Sequence, residues 1–180
     1  PEKVKQTVSS GDSYPDDLNE DQQSAGSQAA ALTQTEEEVP KYSIEEMAIW
    51  TDEDIEQHHS AGDITDECYN ILKDIDKVSS KLKALKKADV AVLWRPLPVA
   101  SNGLYWWGTD KDSYKWLWQL MYTRMTVYHE LNNLVWVWSA QNADWYVGDE
   151  YCDVLSADVY SNGNRDAQIN TLLFLNNICK

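Results

Sequence analysis

Residues 90–108, VAVLWRPLPVASNGLYWWG, are the stretch that decides the fold of this chain. Residues 90–97 form a continuous apolar run of strand length that ends in Arg95-Pro96-Leu97. Strands that do not alternate between apolar and polar residues are typical of parallel sheets covered on both faces. A loop over residues 103–108 follows and carries Trp106 and Trp107. The sequence therefore predicts a buried parallel strand with an aromatic loop at its carboxyl end.

The segment before this strand has the periodicity of a helix. Residues 68–89 carry an apolar stripe at intervals of three and four, made of Tyr69, Leu72, Ile75, Val78, Leu82 and Leu85. Such a stripe predicts an amphipathic helix packed against a core. Further upstream, Ile44, Met47 and Ala48 predict a short helix that extends towards Trp50.

The segments after this strand continue the alternation. They predict a helix over residues 113–130 and strands over 131–139, 153–160 and 171–176. An irregular link is predicted over residues 142–151, between the first two of these strands. Strands that alternate with helices imply right-handed crossovers and a parallel sheet, so we expect an α/β fold. Residues 1–40 differ, because nine acidic and two basic residues occur there with few branched or aromatic ones. That composition predicts a disordered acidic tail or linker, and a folded domain over residues 41–180.

Composition narrows the class of function. Fifteen basic and thirty acidic residues give a net charge of −15, which argues against a nucleic-acid partner. Nine Trp and ten Tyr stand against one Phe, and such amphipathic rings suit stacked contacts with sugars as well as cores. No apolar run approaches the roughly 20 residues of a membrane span. The sequence starts at Pro1 without a signal peptide, so we expect a mature form or a fragment.

Cysteines and histidines give no sign of a metal or cofactor site. Cys68, Cys152 and Cys179 are far apart in sequence and form no C-x-x-C pair. His58 and His59 are adjacent, so they cannot share a helix face as paired metal ligands do. We interpret the cysteines as mostly buried thiols and the histidines as surface residues, and we expect no metal and no cofactor.

Several motifs resemble glycoside hydrolase family 26, the β-mannanases, from about Asp63 to Tyr160. The loop GLYWWG is similar to the family's GGWFWWG, LNNLVWVWS to LNNLIWVWN, and DWYVGDEY to DWYPGDEY. The resemblance implies a (β/α)8 barrel, of which this chain holds about strands four to seven. It also implies that Arg95, Trp106, Trp107, Asp158 and Tyr160 bind a β-mannan or manno-oligosaccharide.

The same resemblance implies that both catalytic glutamates are replaced. Where the family reads RPLHEA this chain reads RPLPVA. Val99 therefore stands at the position of the acid/base glutamate, and Pro98 at the position of the histidine that precedes it. The strand predicted over 171–176 aligns Asn177 with the nucleophile. Valine has no proton to give, and an amide is a poor nucleophile. Glycosidases that retain stereochemistry need two carboxyl groups about 5–5.5 Å apart.

Three hypotheses follow from this mixture of matches and losses. The first is an inactive relative that binds mannan or serves as a structural piece. The second is an active endo-β-1,4-mannanase whose catalytic groups lie elsewhere, and the third is a protein-interaction module that binds no sugar. A whole barrel takes about 250 residues. We therefore expect open sheet edges to be covered by the N-terminal region, by a partner chain or second copy, or by the rest of a longer protein. The resemblance implies an extracellular or cell-surface location.

Overall fold

The computed structural model describes residues 41–139, 142–158 and 164–178. The predicted acidic tail, Tyr160 and Cys179 lie outside these residues. The described chain contains five α-helices: α1 Ile44–Ala48, α2 Asp52–Ser60, α3 Asp66–Lys87, α4 Lys111–Thr123 and α5 Arg165–Ile178. None of these helices is long and apolar enough to cross a membrane.

Four of the helices begin at residues whose side chains satisfy the free N–H groups of the first turn. Ser43 and Thr51 form reciprocal capping boxes with Glu46 and Asp54, and Thr65 caps α3. The Asp110 carboxylate accepts a hydrogen bond of 2.7 Å from the Ser113 amide at the start of α4. The helices predicted over 68–89 and 113–130 are confirmed; the second ends in a π-helical segment, Arg124–Tyr128.

Three parallel strands form the sheet, in the order β1 (Val92–Trp94), β2 (Leu134–Ser139) and β3 (Val154–Ser156). Helix α4 connects β1 to β2, and the predicted irregular link between β2 and β3 contains two short 3₁₀ turns. The parallel α/β arrangement and three of the four predicted strands are therefore confirmed. Each strand is shorter than its apolar run.

The predicted strand over 171–176 is wrong, because these residues lie within α5. Thr171, Phe174, Leu175 and Ile178 are the side chains of this segment that are at least half-buried, and their spacing is helical. Leu172 and Leu173 are 49% and 57% exposed, so the apolar run TLLFLN covers both faces of a helix. Short apolar runs do not distinguish a strand from a helix by periodicity.

The two faces of the sheet have different surroundings. On one face Trp136 packs edge-to-face against Trp118 of α4, with ring centroids 5.8 Å apart. On the other face Leu93 lies beside Val135, and Val137 beside Val154. Leu93 is 74% and Val154 42% exposed, and within the described residues β1 and β3 each have one unpaired edge. The second face is the one that a (β/α)8 barrel directs towards its axis.

A buried arginine joins the helices behind the sheet. The Arg124 side chain is fully buried and makes two hydrogen bonds of 2.6 Å to the Asp76 carboxylate of α3. It also donates to the carbonyl oxygens of Met47, Ala48 and Trp50. One guanidinium group thus ties residues 47–50 to α3, and Tyr69 and Lys73 of α3 add hydrogen bonds to α2.

The histidines of α2 are half-buried, which corrects their interpretation as surface residues. His58 stacks on Trp50 with ring centroids 4.2 Å apart, and His59 stacks on Tyr69 at 4.2 Å. The Asp63 carboxylate accepts hydrogen bonds from Lys41 and from the Tyr42 hydroxyl, and its contact with His58 Nδ1 is 3.1 Å. These contacts order the turn between α2 and α3.

Candidate functional site

The side chains that follow the three strands meet at the carboxyl end of the sheet. Arg95 comes directly after β1, Ser139 ends β2, and Asp158 lies two residues beyond β3. One nitrogen, Arg95 Nη2, donates to Ser139 Oγ at 2.8 Å and to Asp158 Oδ2 at 2.5 Å. Because side chains alternate along a strand, Arg95 follows Leu93 and Ser139 follows Val137 on the face that a barrel directs inward.

Val99 lies directly beside this ion pair. Its amide N–H donates to the carbonyl oxygen of Ser139 at 3.1 Å, while Arg95 contacts the Ser139 hydroxyl. Val99 has φ 58° and ψ 42°, the left-handed conformation, which is a genuine outlier for a β-branched residue. The half-buried position next to Arg95 and Asp158 therefore carries an apolar side chain in a strained backbone.

The aromatic loop begins immediately after this position. Tyr105 stacks on Trp107 with ring centroids 4.5 Å apart, and Trp107 Nε1 donates to the Pro98 carbonyl oxygen at 3.1 Å. Trp106 stands nearly perpendicular to Trp107 and is 64% exposed. Gly108 closes the loop, because a Cβ atom there would lie 2.3 Å from the Ala100 carbonyl oxygen. Trp107 is thus fixed against the Val99 segment, and Trp106 points towards solvent.

Beyond the loop, a cleft of about 500 Å³ lies between the loop, α3 and the start of α4. Its described lining is Ile71, Trp106, Trp107, Thr109, Asp110, Asp112, Ser113, Tyr114, Trp116 and Leu117. The hydrogen bond from the Ser113 amide lowers the pKa of Asp110. The lining excludes Arg95, Val99 and Asp158, so the two tryptophans predicted to bind sugar belong to a second surface.

The predicted site residues are therefore divided by the structure. Arg95 and Asp158 come together, and Ser139 contacts Arg95. Sequence reasoning missed Ser139, whose only signal was its position at the end of a predicted strand. Asn177 is exposed on α5 rather than at a strand end, so the reason for aligning it with the nucleophile is removed. Tyr160 lies outside the described residues.

The remaining polar groups near the site serve the local structure. Asp110 caps α4, and Asp149 accepts a hydrogen bond of 2.7 Å from the Tyr146 hydroxyl. Cys68 and Cys152 are half-buried free thiols, and burial raises the pKa of each. Across residues 41–139, 142–158 and 164–178, no group of three His, Cys, Asp or Glu side chains could hold a metal ion.

Sequence comparison extends the recognised motifs in both directions. The profile of glycosyl hydrolase family 26 matches residues 37–180, a wider range than the motifs indicate. A mannan endo-1,4-beta-mannosidase of Thermothelomyces thermophilus is 47% identical over 108 residues, which are 58% of this chain and 22% of that protein. A mannan endo-1,4-beta-mannosidase B of Piromyces is 39% identical over 96 residues, 53% of this chain and 17% of the relative. The chain thus spans about a fifth of the length of these relatives.

Solved structures show the same relationship. The GH26-CBM35 β-(1,4)-mannanase of Podospora anserina is 43% identical, with a TM-score of 0.57 over 71% of this chain and 29% of that chain. A β-mannanase from a symbiotic protist of the termite Reticulitermes speratus, complexed with gluco-manno-oligosaccharide, is 38% identical. Its TM-score is 0.53 over 62% of this chain and 35% of the other. The chain belongs to glycosyl hydrolase family 26.

Proposed function

We propose that this chain binds β-1,4-linked mannan at the carboxyl end of its sheet and does not cleave it. The observation that carries the proposal is the position of Val99. It lies beside the Arg95–Asp158 ion pair, at the position where the motif RPLHEA has the glutamate of the family. The polar groups that could hold a sugar remain, and the group that would protonate its glycosidic oxygen is absent.

The chemistry of the neighbouring residues supports the loss of cleavage. A general acid must carry a transferable proton within hydrogen-bond reach, and loss of such a group costs about 10²–10⁴-fold in rate. Val99 and Pro98 have no such proton, and the Pro98 carbonyl oxygen already accepts from Trp107. The proposal no longer uses Asn177, so it rests on the acid/base position alone.

The ligand class comes from the relatives and from the residues that remain. The names of the two curated relatives describe action on mannan, and the termite-symbiont structure holds a gluco-manno-oligosaccharide. In this chain Arg95 offers further N–H donors, and Asp158 offers carboxylate oxygens, to sugar hydroxyls. The family resemblance also leads us to propose a location outside the cell or at its surface.

Two other functions have specific support. The 47% identity to a mannan endo-1,4-beta-mannosidase favours an active endo-β-1,4-mannanase that retains stereochemistry and takes its catalytic carboxylates from other residues. The exposure of Leu93 and Val154 on an otherwise apolar sheet face favours an interaction module, in which a second copy or a partner chain covers that face. The first alternative requires product formation, and the second requires neither product nor sugar binding.

Affinity electrophoresis in galactomannan gels, combined with a reducing-sugar assay, separates these functions. We expect migration of the whole chain to be retarded by galactomannan, without release of reducing ends. Arg95→Ala should clearly reduce the retardation, because it removes the donor that joins the three strand ends. Arg165→Ala is the matched control, since Arg165 is exposed at the start of α5 and should leave the retardation unchanged. Retardation that is the same in Arg95→Ala as in the wild type would overturn the strand-end site.

A further inference from the structure

We propose that the cleft between the Trp106–Trp107 loop, α3 and the start of α4 is a second saccharide-binding site, which takes a neutral oligosaccharide. The one link to the proposed function is the ligand class, β-linked mannose. The cleft shares none of Arg95, Ser139, Val99 or Asp158 with the strand-end surface. Nothing in the proposed strand-end site requires it.

The size and aromatic content of the cleft suit a sugar chain. Its volume of about 500 Å³ lies within the roughly 300–1,000 Å³ typical of small-ligand clefts. Trp106, Trp107, Trp116 and Tyr114 all line it. Trp106 leaves 64% of its surface exposed, and an exposed indole face is an apolar platform for the C–H-rich face of a pyranose ring.

The charges of the lining select a neutral ligand. None of the described lining residues is Lys, Arg or His, so a phosphate or carboxylate ligand would meet no cation there. Asp110 and Asp112 are the charged groups of the lining. Carboxylate oxygens accept hydrogen bonds from hydroxyl groups and repel anions. A polyol fits both properties.

An aromatic cage for a quaternary ammonium ion fits the lining less well. Such a cage surrounds one point with several ring faces. Here Trp107 is already stacked on Tyr105, and Trp106 meets Trp107 at an interplanar angle of 81°. Only the Trp106 face is widely open, which provides a platform rather than an enclosure.

The cleft also continues along the protein in a way that suits a chain of residues. A smaller depression of about 170 Å³ shares Ile71, Trp106 and Leu117 with it and runs on past Ile75, Met121 and Met125. A linear oligosaccharide could lie across Trp106 and extend along this groove between α3 and α4. A single free monosaccharide would leave that continuation unused.

Calorimetric titration of the full chain with mannohexaose tests the assignment in two backgrounds. Arg95→Ala removes the strand-end donor, and we expect residual saturable binding in this variant. Adding Trp106→Ala should then weaken the residual binding at least about tenfold, because the truncation removes the stacking platform. Trp106→Phe should keep part of the affinity. Leu173→Ala, which truncates an apolar side chain of similar exposure on α5, is the matched control and should change nothing.

The outcomes separate the two sites. Complete loss of binding in Arg95→Ala alone, or residual binding that Trp106→Ala does not change, overturns the second site and leaves the strand-end site standing. Loss in Trp106→Ala with no effect of Arg95→Ala supports the cleft and overturns the strand-end proposal. Absence of mannohexaose binding by the wild type overturns both. If mannohexaose binding does not require Trp106 but tetramethylammonium binding or self-association does, the saccharide assignment is overturned. The cleft then belongs to that other occupant.

Discussion

The Val99 amide donates a hydrogen bond of 3.1 Å to the carbonyl oxygen of Ser139, whose hydroxyl accepts from Arg95. These bonds connect the Val99 backbone, through Ser139, to the Arg95–Asp158 ion pair, and we propose that Val99 occupies the acid/base position. Strand ends that bring an arginine and an aspartate together usually define where chemistry occurs in a barrel. The backbone of Val99 is hydrogen-bonded to the strand end that carries Ser139, and on the proposed alignment this position has no acid.

Arg124 should matter far more to folding than Arg95. Arg124→Met removes the donor of three carbonyl oxygens and leaves the Asp76 carboxylate with its His129 contact alone. Breaking a buried pair costs about 3–5 kcal/mol. Arg95→Met removes a partly exposed pair, whose loss costs about 0–1 kcal/mol. Urea unfolding of both variants measures the difference. Equal destabilisation would show that Arg124 does not anchor residues 47–50.

Gly108 should tolerate no side chain. A Cβ atom at this position would lie 2.3 Å from the Ala100 carbonyl oxygen, so Gly108→Ala must displace the aromatic loop. Overpacking of this kind costs about 1–3 kcal/mol. Gly62→Ala is the comparison for backbone strain alone, because Gly62 has φ 73°, where alanine costs about 1–2 kcal/mol, but has no atom within 4 Å of the added Cβ. We expect a larger fall of the melting temperature for Gly108→Ala, and the reverse order would contradict the close approach.

Asp63 should make the fold sensitive to acid. Hydrogen bonds from Lys41, His58 and Tyr42 lower the pKa of Asp63 from 3.8 to about 2. A carboxyl whose pKa is lower in the folded state contributes stability above its unfolded pKa, and the contribution is lost as the pH falls through the folded value. The melting temperature should therefore fall between pH 4 and pH 2.

Comparison of two asparagine variants isolates the contribution of Asp63 to that fall. Asp63→Asn should flatten the decrease, since the amide does not titrate. Asp74→Asn, which replaces an exposed carboxylate on α3, should keep the wild-type slope. Parallel pH profiles of the wild type and Asp63→Asn would refute the role of these three donors.

The left-handed backbone at Val99 should be a source of strain. Such a conformation costs of order 1–3 kcal/mol for a non-glycine residue, and asparagine adopts it more readily. We expect Val99→Asn to raise the free energy of unfolding by about 1 kcal/mol. The same change at Val90, which has no positive φ, should give no increase. A lower stability of Val99→Asn would mean that the valine side chain contributes more by packing than its backbone costs.

The parts of the fold that the sequence predicts are those with one regular period. The stripe from Tyr69 to Leu85 belongs to a long helix that buries Leu72, Ile75 and Leu82 on one side, so its period is unambiguous. The strand β1, Val92–Trp94, is followed by Pro96 and Pro98, which limit its length. The helix α2 was missed because Ile55 is its only buried residue, and the capping box at Thr51 was its only signal.

The candidate site was predictable where contacts follow from strand ends and unpredictable where they follow from loop geometry. Arg95 and Asp158 each come after a strand, so their meeting follows from the parallel register. The separation of Trp106 from that pair depends on the turn at Gly108 and on the side of the loop that α3 approaches. The wrong strand over residues 171–176 arose because an apolar run that is exposed on one side of a helix resembles a buried strand.

The central claim is that the chain binds mannan and cannot cleave it. The most direct measurement is prolonged incubation of the wild-type chain with mannohexaose at a concentration that saturates binding, followed by chromatographic analysis of the products. We predict intact mannohexaose with no shorter oligosaccharides above a heat-denatured control. Steady accumulation of mannobiose, mannotriose or mannotetraose in proportion to protein concentration would contradict the account and show that a carboxylate other than one at position 99 performs the chemistry.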